Sequence, residues 1–397
     1  MLKGGETIAC AQGGARRLRA ARRSRFRGLD GATRSRQESG AALPEFPGAA
    51  RAPGGARANG TDKTEMTQET APPRLGKNRV APWLFRAALI ALALSALATL
   101  AGRFGQLAWP LELASHFAVQ LLAIQAIATA LLVKAGRQRL AAAFLPFAVV
   151  NLLLIAPSLL APAWRAEAAG GPTRLTVMAA NLHFEQHRSD LLQAEIARID
   201  PDVILLIEPV ADYYGDNSPL RRTHPYVIFH KDGAGTGLMM ASRIPWERAT
   251  TLTLSTTYSP SIYATFCPTP ERGPAGCADV LGVHPISPLG AKRSQMRDAE
   301  LRSIAEFVAS RQPERFVVMG DFNTTPWSVR FSEFLDRSRL SDAPAGRGLA
   351  ATWLSKNPLL GLPIDHILVG RDIQVLDQEV GADIGAEHYP ISAQLAF

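Results

Sequence analysis

Three long apolar runs dominate the pattern of hydrophobic and polar positions in the first half of the chain. They are WLFRAALIALALSALATLA (83–101), LASHFAVQLLAIQAIATALLV (113–133) and LAAAFLPFAVVNLLLIAPSLLA (140–161). A helix needs about 20 residues to cross the hydrocarbon core of a bilayer, so each run is long enough. Trp83, Trp109 and Trp164 lie at their ends, where amphipathic rings prefer the interface. The pattern predicts a three-helix transmembrane anchor over residues 81–164, because a cleaved signal peptide would not explain the two later runs.

From about Arg174 the apolar positions change to short runs that alternate with amphipathic segments. RLTVMAANLH and PDVILLIEP are typical of strands, and SDLLQAEIARI between them is typical of a helix. In KRSQMRDAELRSIAEFVASR, the apolar residues at 301, 304, 305 and 308 have the spacing of one helix face. RFVVMGDFN, PIDHILVG and PISAQLAF are further strand-like runs. Helices mixed with many strands, several of them joined only by loops, predict an α/β sandwich over residues 170–397.

The charge of the chain is zoned. The formal net charge is +8, but the excess of Lys and Arg lies in the first 170 residues, and the remainder is mildly acidic. This acidity weakens any prediction of a nucleic-acid groove from charge. Residues 1–80 contain runs such as ARRLRAARRSRFRG and no stripe of large apolar residues, so we expect a disordered basic cytoplasmic tail. Either this tail is an RNA-binding or targeting arm, or translation begins at Met66, which is the preferred interpretation.

Short loops set the expected orientation in the membrane. KAGRQR between the second and third runs is basic, and Lys77 and Arg79 precede the first run. The loop between the first and second runs has Arg103 as its single basic residue. The positive-inside rule then predicts a bacterial inner-membrane protein with a cytoplasmic N-terminus and a periplasmic domain after Trp164.

Three polar residues in the apolar runs and two cysteines of the C-terminal region carry further expectations. Arg86 is expected to extend to the membrane interface, and His116 and Asn151 to make helix–helix contacts. Cys267 and Cys277 flank the Pro/Gly-rich loop CPTPERGPAGC, which leaves two interpretations, a disulfide or two unrelated thiols. An oxidising periplasm favours the disulfide.

Polar side chains stand at the ends of most of the predicted strands. They are Asn181, Glu208, His284, Asp321, Asn323, Asp365, Glu387 and His388. Each one alone is compatible with an ordinary turn. Together they are suited to metal-assisted hydrolysis of a phosphate ester. Glu208 offers oxygen ligands to a hard divalent cation, Asp321 can orient and deprotonate a water, and Asp365 can fix the tautomer of His388.

The spacing within GDFN and IDH carries a further expectation. In an extended segment residues i and i+2 point the same way, so Asp321 and Asn323 are expected to face one phosphorus centre, with Phe322 turned into the core. By the same alternation, His366 is expected to point away from Asp365 and the site. Lys292, Arg293 and Arg297 begin a helix after His284 and form either a solvated face or a contact for an anionic substrate or head group.

The series GDFN, IDHIL and a terminal acid–His pair resembles the endonuclease/exonuclease/phosphatase superfamily over about residues 174–397. The resemblance implies a DNase I-like four-layer α/β sandwich, in which two face-to-face β-sheets are flanked by helices, here preceded by three transmembrane helices. It also implies a phosphodiesterase, phosphatase or nuclease that depends on Mg²⁺, with Mn²⁺ as the other candidate metal.

The resemblance implies a role for each matched residue. The catalytic residues would be His284, Asp321, Asp365 and His388; the substrate-binding residues Asn181 and Asn323; the metal ligands Glu208, Glu387 and Asn181. His284 would donate to a phosphate oxygen or the leaving group, and His388 would stabilise the pentacovalent transition state or take a proton. The superfamily has Asp where this chain has Glu387, whose side chain is one methylene longer.

Two functions follow from these observations. The first is a membrane-anchored, divalent-metal-dependent phosphoesterase that acts by in-line attack of water on a phospholipid head group, a small phosphodiester or nucleic acid. The second is a catalytically inactive periplasmic binding module on a membrane anchor, with Glu387 as a sign of decay. The other partner would be the lipid bilayer, and no protein partner is indicated.

Overall fold

The computed structural model describes residues 80–160, 173–183, 188–230, 237–255, 259–343, 348–354, 356–357 and 359–397. The predicted tail, including Met66, and the predicted interface residue Trp164 lie outside the described residues, apart from Val80 at the tail's end.

The apolar runs form four helices. They are α1 (Pro82–Gly102), α2 (Trp109–Ser115), α3 (Ala118–Lys134) and α4 (Gln138–Leu159). By length and composition, α1 and α4 can each cross a membrane, and α2 and α3 form a third candidate only as a pair bent by 64°. The described residues thus contain two candidate spans, or three if the bent pair is one, where the sequence predicts three.

A polar network joins the three long helices. Asn151 Nδ2 donates to Thr99 Oγ1 and to Gln125 Oε1 over 2.8 and 3.0 Å. The predicted helix–helix contact of Asn151 is therefore confirmed. The prediction for His116 is wrong, because its Nδ1 is hydrogen-bonded to Thr325 Oγ1 of the C-terminal domain at 3.0 Å.

The strands described in the C-terminal region form two six-stranded sheets. The first has the order β11 (Gln374–Val380), β12 (Ile391–Ala396), β1 (Arg174–Asn181), β2 (Val203–Ile207), β4 (Leu238–Ser242) and β3 (Tyr226–His230). The second has the order β5 (Trp246–Leu252), β6 (Ser261–Phe266), β7 (Ala278–Val283), β8 (Phe316–Asp321), β10 (Asp365–Val369) and β9 (Ser341–Asp342). The accompanying helices are α5 (Ser189–Ile199), α6 (Ala211–Tyr214), α7 (Leu220–Thr223), α8 (Ala291–Ala309) and α9 (Val329–Ser338), with 3₁₀ turns at Pro270–Gly276 and Pro313–Arg315.

The main core lies between the two sheets. Val177 and Leu205 of the first sheet and Met319 of the second contribute to it, and all three are fully buried. Leu192 of α5 packs on the outer face of the first sheet, and Leu301 of α8 packs on the outer face of the second. Strands buried on both faces explain the near-continuous apolar runs VILLI and FVVM. The two-sheet sandwich flanked by helices agrees with the predicted fold class.

Cys267 and Cys277 form a disulfide across the 3₁₀ turn between β6 and β7. We expect replacement of both by Ser to lower the free energy of unfolding by about 2–3 kcal/mol, because the short loop is no longer closed in the unfolded chain. Turnover of the folded protein should be unchanged, since Cys277 precedes β7 and His284 follows it, about 20 Å further along the strand. Denaturant unfolding of the double variant beside the wild type measures the difference, and equal midpoints would contradict the prediction.

Candidate active site

Strand direction brings the polar strand ends to one edge of the sandwich. β1 and β2 are parallel, as are β7 and β8, so the residues that end or follow each pair lie side by side. β10 runs antiparallel to β8, which places Asp365 directly opposite Asp321. β12 runs antiparallel to β1, with Ile391 opposite Ala179, so the turn before β12 meets the end of β1. The predicted polar residues at the strand ends therefore come from both sheets and lie at the same edge.

Asp321 lies at the centre of this group and is buried. Its Oδ2 accepts a hydrogen bond from Asn181 Nδ2 over 3.1 Å and lies 3.8 Å from His284 Nε2 and 3.9 Å from His388 Nε2. Its Oδ1 accepts from the backbone N–H of Asn323 over 2.8 Å. Burial, followed by the adjacent carboxylate of Asp365, raises the pKa of Asp321 to about 7.

His388 is held by a second carboxylate. Its Nδ1 donates to Asp365 Oδ2 over 2.9 Å, and both side chains are buried. Burial alone would lower the pKa of His388, but the carboxylates of Asp365, Asp321 and Glu208 outweigh it and raise the pKa to about 9. The predicted contact between Asp365 and His388 is thus formed, and the His388 ring lies between Asp365 and Asp321.

Glu208, which is buried, and His284, which is half-buried, complete the group from opposite sheets. His284 Nε2 lies 3.7 Å from Glu208 Oε1, just as it lies near Asp321. Glu208 has a left-handed backbone with φ of 52°, and its N–H donates to Gly237 O over 2.9 Å. The chain therefore turns sharply as it leaves β2, which keeps the buried carboxylate at the edge of the sheet.

The prediction that Asp321 and Asn323 point the same way because they lie in an extended segment is wrong. β8 ends at Asp321, and Asn323 is left-handed with φ of 51°, so the segment is not extended. Asn323 Nδ2 donates to Pro285 O over 3.0 Å, which directs this side chain toward the loop after His284. Phe322 does enter the core, where its ring contacts Phe334.

Two further predictions concern the acid–His pairs. Glu387, a predicted metal ligand, is exposed, whereas its neighbour His388 is buried. His366 points away from the site as expected, because its Nε2 donates to Thr324 O over 2.9 Å and its ring packs on Phe331.

Within the described residues, the group that can hold a metal ion consists of Asp321, Asp365 and His388, whose ligand atoms lie within 4.8 Å of one another.

Sequence reasoning missed two residues that shape the site. Thr352 Oγ1 accepts from the backbone N–H of Ile364 and Asp365, each over 3.1 Å, and so fixes the start of β10. Gly320 has φ of 148°, and a Cβ there would meet Val283 O at 1.9 Å, so β8 approaches β7 as only Gly permits. Gly320 is the first residue of the GDFN motif, so its importance could have been predicted from the sequence. Thr352 lies in a loop whose sequence has no such motif.

Neither interpretation of Arg297 is right. Lys292 and Arg293 are exposed at the start of α8, but Arg297 on the same helix is fully buried. Its Nη2 contacts Glu112 Oε1 of α2 at 2.5 Å, and its Nη1 donates to Asn323 O over 3.0 Å. Arg297 thus joins α2 to the loop that follows Asp321.

Comparisons with known proteins found one family model and several solved structures that resemble this chain. A model of the endonuclease/exonuclease/phosphatase family matches residues 178–389. The structure of the human Nocturnin catalytic domain with bound sulfate is 18% identical, covers 56% of this chain and 94% of its own, and has a TM-score of 0.46. D. rerio TDP2 complexed with a single-strand DNA product is 15% identical, with coverage of 56% and 99% and a TM-score of 0.46. A mannosyl-6-phosphatase of Bacteroides thetaiotaomicron is 17% identical, with coverage of 56% and 100% and a TM-score of 0.45. No curated protein sequence matches significantly.

Proposed function

Because the chain belongs to the endonuclease/exonuclease/phosphatase family, whose members hydrolyse phosphate esters, we propose that it is a membrane-anchored, divalent-metal-dependent phosphoesterase. The observation that carries this proposal is the buried convergence of Asp321, Asp365 and His388 at one edge of the sandwich, with Glu208 and His284 beside them. Buried charged groups at this density are costly for folding, which favours a catalytic role over a structural one.

The contacts of each side chain suggest its part in hydrolysis. Asp321 orients the attacking water and takes its proton, since its raised pKa is close to the working pH of a general base. Asn181 holds Asp321 in place. Asn323, whose Nδ2 donates to Pro285 O, is the phosphate-binding residue that we propose, through the second hydrogen of the same amide. His388, kept protonated by Asp365, stabilises negative charge that develops on the phosphoryl group.

The donor set fits a hard divalent cation. Three buried carboxylates, Glu208, Asp321 and Asp365, bring negative charge to one edge, and carboxylate oxygens are the preferred ligands of Mg²⁺. Glu208, Asn181 and Glu387 are the ligands that we propose for the ion. The group of Asp321, Asp365 and His388 also offers three ligand atoms, but we assign it to water activation and charge stabilisation. When bound, the cation would polarise the phosphoryl oxygens and offset the buried charge. Mg²⁺ is proposed first and Mn²⁺ second, from ligand hardness.

The arrangement of the helices supports a membrane anchor with the catalytic domain at one end. Arg137 lies over the Phe85 ring, 5.6 Å from its centroid, so the start of α1 adjoins the α3–α4 loop. At the other end, Ile155 of α4 and Ala118 of α3 pack with Trp327 of the catalytic domain. Basic residues at the far end and a disulfide in the domain accord with a cytoplasmic N-terminus and a periplasmic domain in a bacterial inner membrane.

A phosphate ester at the bilayer surface is the substrate class that we favour. Leu359 and Leu360 are exposed in a loop tied to α3, where Gln120 Nε2 donates to Gly361 O over 3.3 Å. Leu289, in the loop that follows His284, is 73% exposed. Exposed leucines in these two loops suit contact with lipid, and the mildly acidic domain is less suited to nucleic acid.

The test uses the full chain in lipid nanodiscs with three substrates: a phospholipid, bis-p-nitrophenyl phosphate and single-stranded DNA. We expect turnover with Mg²⁺ or Mn²⁺, loss of at least about 100-fold in EDTA because the cation's charge stabilisation is removed, and recovery on re-addition. Release of p-nitrophenol measures the model diester, release of the head group measures the phospholipid, and formation of acid-soluble nucleotides measures the DNA. The lipid should be turned over faster than the soluble esters if the site works at the bilayer surface.

Other outcomes distinguish the alternatives. Turnover that is unchanged in EDTA would contradict metal dependence. Faster hydrolysis of single-stranded DNA than of lipid would identify a nuclease. No turnover of any of the three substrates, with saturable Mg²⁺ binding by calorimetry, would favour the inactive binding module.

A further inference from the structure

The loop that follows Asp321 is held partly by residues that precede the sandwich domain in the chain. This loop, residues 322–328, carries Asn323 and ends at the start of α9. Glu112, just before the second apolar run of the sequence, and His116 within it are hydrogen-bonded to this loop. That run was expected to contact lipid and other helices, so these contacts call for an explanation.

Glu112 of α2 is the central contact. It is buried, and its Oε1 lies 2.5 Å from Nη2 of the fully buried Arg297 on α8. Ser294 and Ser328 also donate to the Glu112 carboxylate, each over 3.4 Å. A buried carboxylate with one Arg and two hydroxyl partners is fixed in a single orientation.

Arg297 transmits this contact to the active-site loop. Its Nη1 donates to Asn323 O over 3.0 Å, and its Nε donates to Asp298 Oδ1 over 2.9 Å. All three guanidinium nitrogens are therefore engaged, and only the planar fork of an Arg reaches these partners together. Arg297 therefore holds the carbonyl of Asn323, while the N–H of Asn323 donates to Asp321.

The rest of the loop has contacts of the same kind. His116, at the end of α2, is hydrogen-bonded through Nδ1 to Thr325 Oγ1 at 3.0 Å, and its carbonyl accepts from Trp327 Nε1 over 2.9 Å. Trp327 also packs against Ala118 and Ile155 of the long helices. The loop is thus joined directly to α2 and to His116 at Thr325, Trp327 and Ser328, and through Arg297 at Asn323.

We propose that Glu112 is a positioning residue of the active site, which acts through Arg297 to fix the Asn323 main chain beside Asp321, so that the membrane-helix region completes the catalytic loop. This inference rests on the proposed phosphoesterase function. Without Glu112, the guanidinium keeps Asp298 as its carboxylate partner, and its direction toward Asn323 is no longer set. The Asn323 N–H would then shift relative to Asp321, the residue that orients water.

The experiment compares Glu112→Gln with the wild type in full-length protein in nanodiscs. We expect kcat to fall about 10- to 100-fold with KM nearly unchanged, because misplacement of a catalytic group on the scale of 1 Å has an effect of this size. Arg297→Lys should show a similar loss, and the double variant no further loss, since both act through one path. Glu112→Asp should recover part of the rate. Asn151→Ala is the matched control, because it removes buried hydrogen bonds within the helices without touching the loop.

A second measurement separates positioning from general destabilisation. Hydrogen exchange of the amides of residues 322–328 should be faster in Glu112→Gln than in the wild type and unchanged in Asn151→Ala. Equal kcat per folded molecule in Glu112→Gln and Asn151→Ala, or unchanged exchange in the loop, would overturn the inference while leaving the phosphoesterase intact. If the wild type hydrolyses no ester, the proposed function fails, and exchange alone decides whether Glu112 fixes the loop.

Discussion

Asp321→Asn is expected to lower kcat by about 10²- to 10⁴-fold, the usual contribution of a general base, while the protein stays at least as stable as the wild type. The amide cannot take a proton from water, although it fills the same space. Its carbonyl oxygen can still accept from Asn181 or from the Asn323 N–H, the two donors that hold the carboxylate. The chemistry is therefore lost with little change in the packing around it.

Stability should move in the opposite direction to activity. The pKa of Asp321 is raised by burial and by Asp365, so the folded protein disfavours the ionised form. A raised carboxyl pKa means that the folded state binds more protons than the unfolded state between the two pKa values, and wild-type stability falls as pH rises from about 4 to about 7. Asn does not titrate, so the metal-free variant should gain stability relative to the wild type across that interval.

Asp202→Asn is the matched control. Asp202 accepts from the backbone N–H of Thr176 over 2.7 Å, near the start of β1 and away from the polar edge. This change should cost stability and leave kcat unaltered, the reverse of the effects at Asp321. Denaturant unfolding in EDTA at pH 4, 6 and 8, with turnover in Mg²⁺, measures both quantities. Retained turnover in Asp321→Asn would remove this carboxylate from the mechanism.

Much of the site could be predicted from the sequence because strand ends leave a local signal. A run such as VILLI identifies a buried strand, and the first polar residue after it, Glu208, must lie near an edge. The GDFN run identified Asp321 in the same way. Each of these inferences depends on a few adjacent residues, which is why they could be made without a structure.

Interactions over long sequence distances could not be predicted in this way. Arg297 stands on an amphipathic helix, and its partner Glu112 lies 185 positions earlier, just before a run that resembles lipid-facing helix. The bend between α2 and α3 likewise has no Pro or Gly to indicate it, and it lies where His116 contacts the two-sheet domain. The side-chain direction of Asn323 was predicted wrongly, because its left-handed backbone depends on contacts of both its N–H and its C=O.

Asp365→Asn should lower kcat by about 10²- to 10³-fold and shift the alkaline limb of the pH–rate profile to lower pH, because the change removes the partner that keeps an acid catalyst protonated. Asp365 accepts from His388 Nδ1 over 2.9 Å and is the leading charge that raises the pKa of His388 to about 9. The neutral amide leaves burial to dominate, so the pKa of His388 falls and the imidazolium is lost at a lower pH.

The strand pairing of β10 should survive this change, since Thr352 holds the Asp365 backbone rather than its carboxylate. His388→Gln is the companion variant, and the double variant should be no slower than His388→Gln alone, because both remove one charged imidazole. Turnover of a soluble phosphodiester from pH 5 to 10 measures both the rate and the limb. An unmoved alkaline limb, or additive losses in the double variant, would mean that His388 does not act as the protonated partner of Asp365 and that the buried couple serves the fold instead.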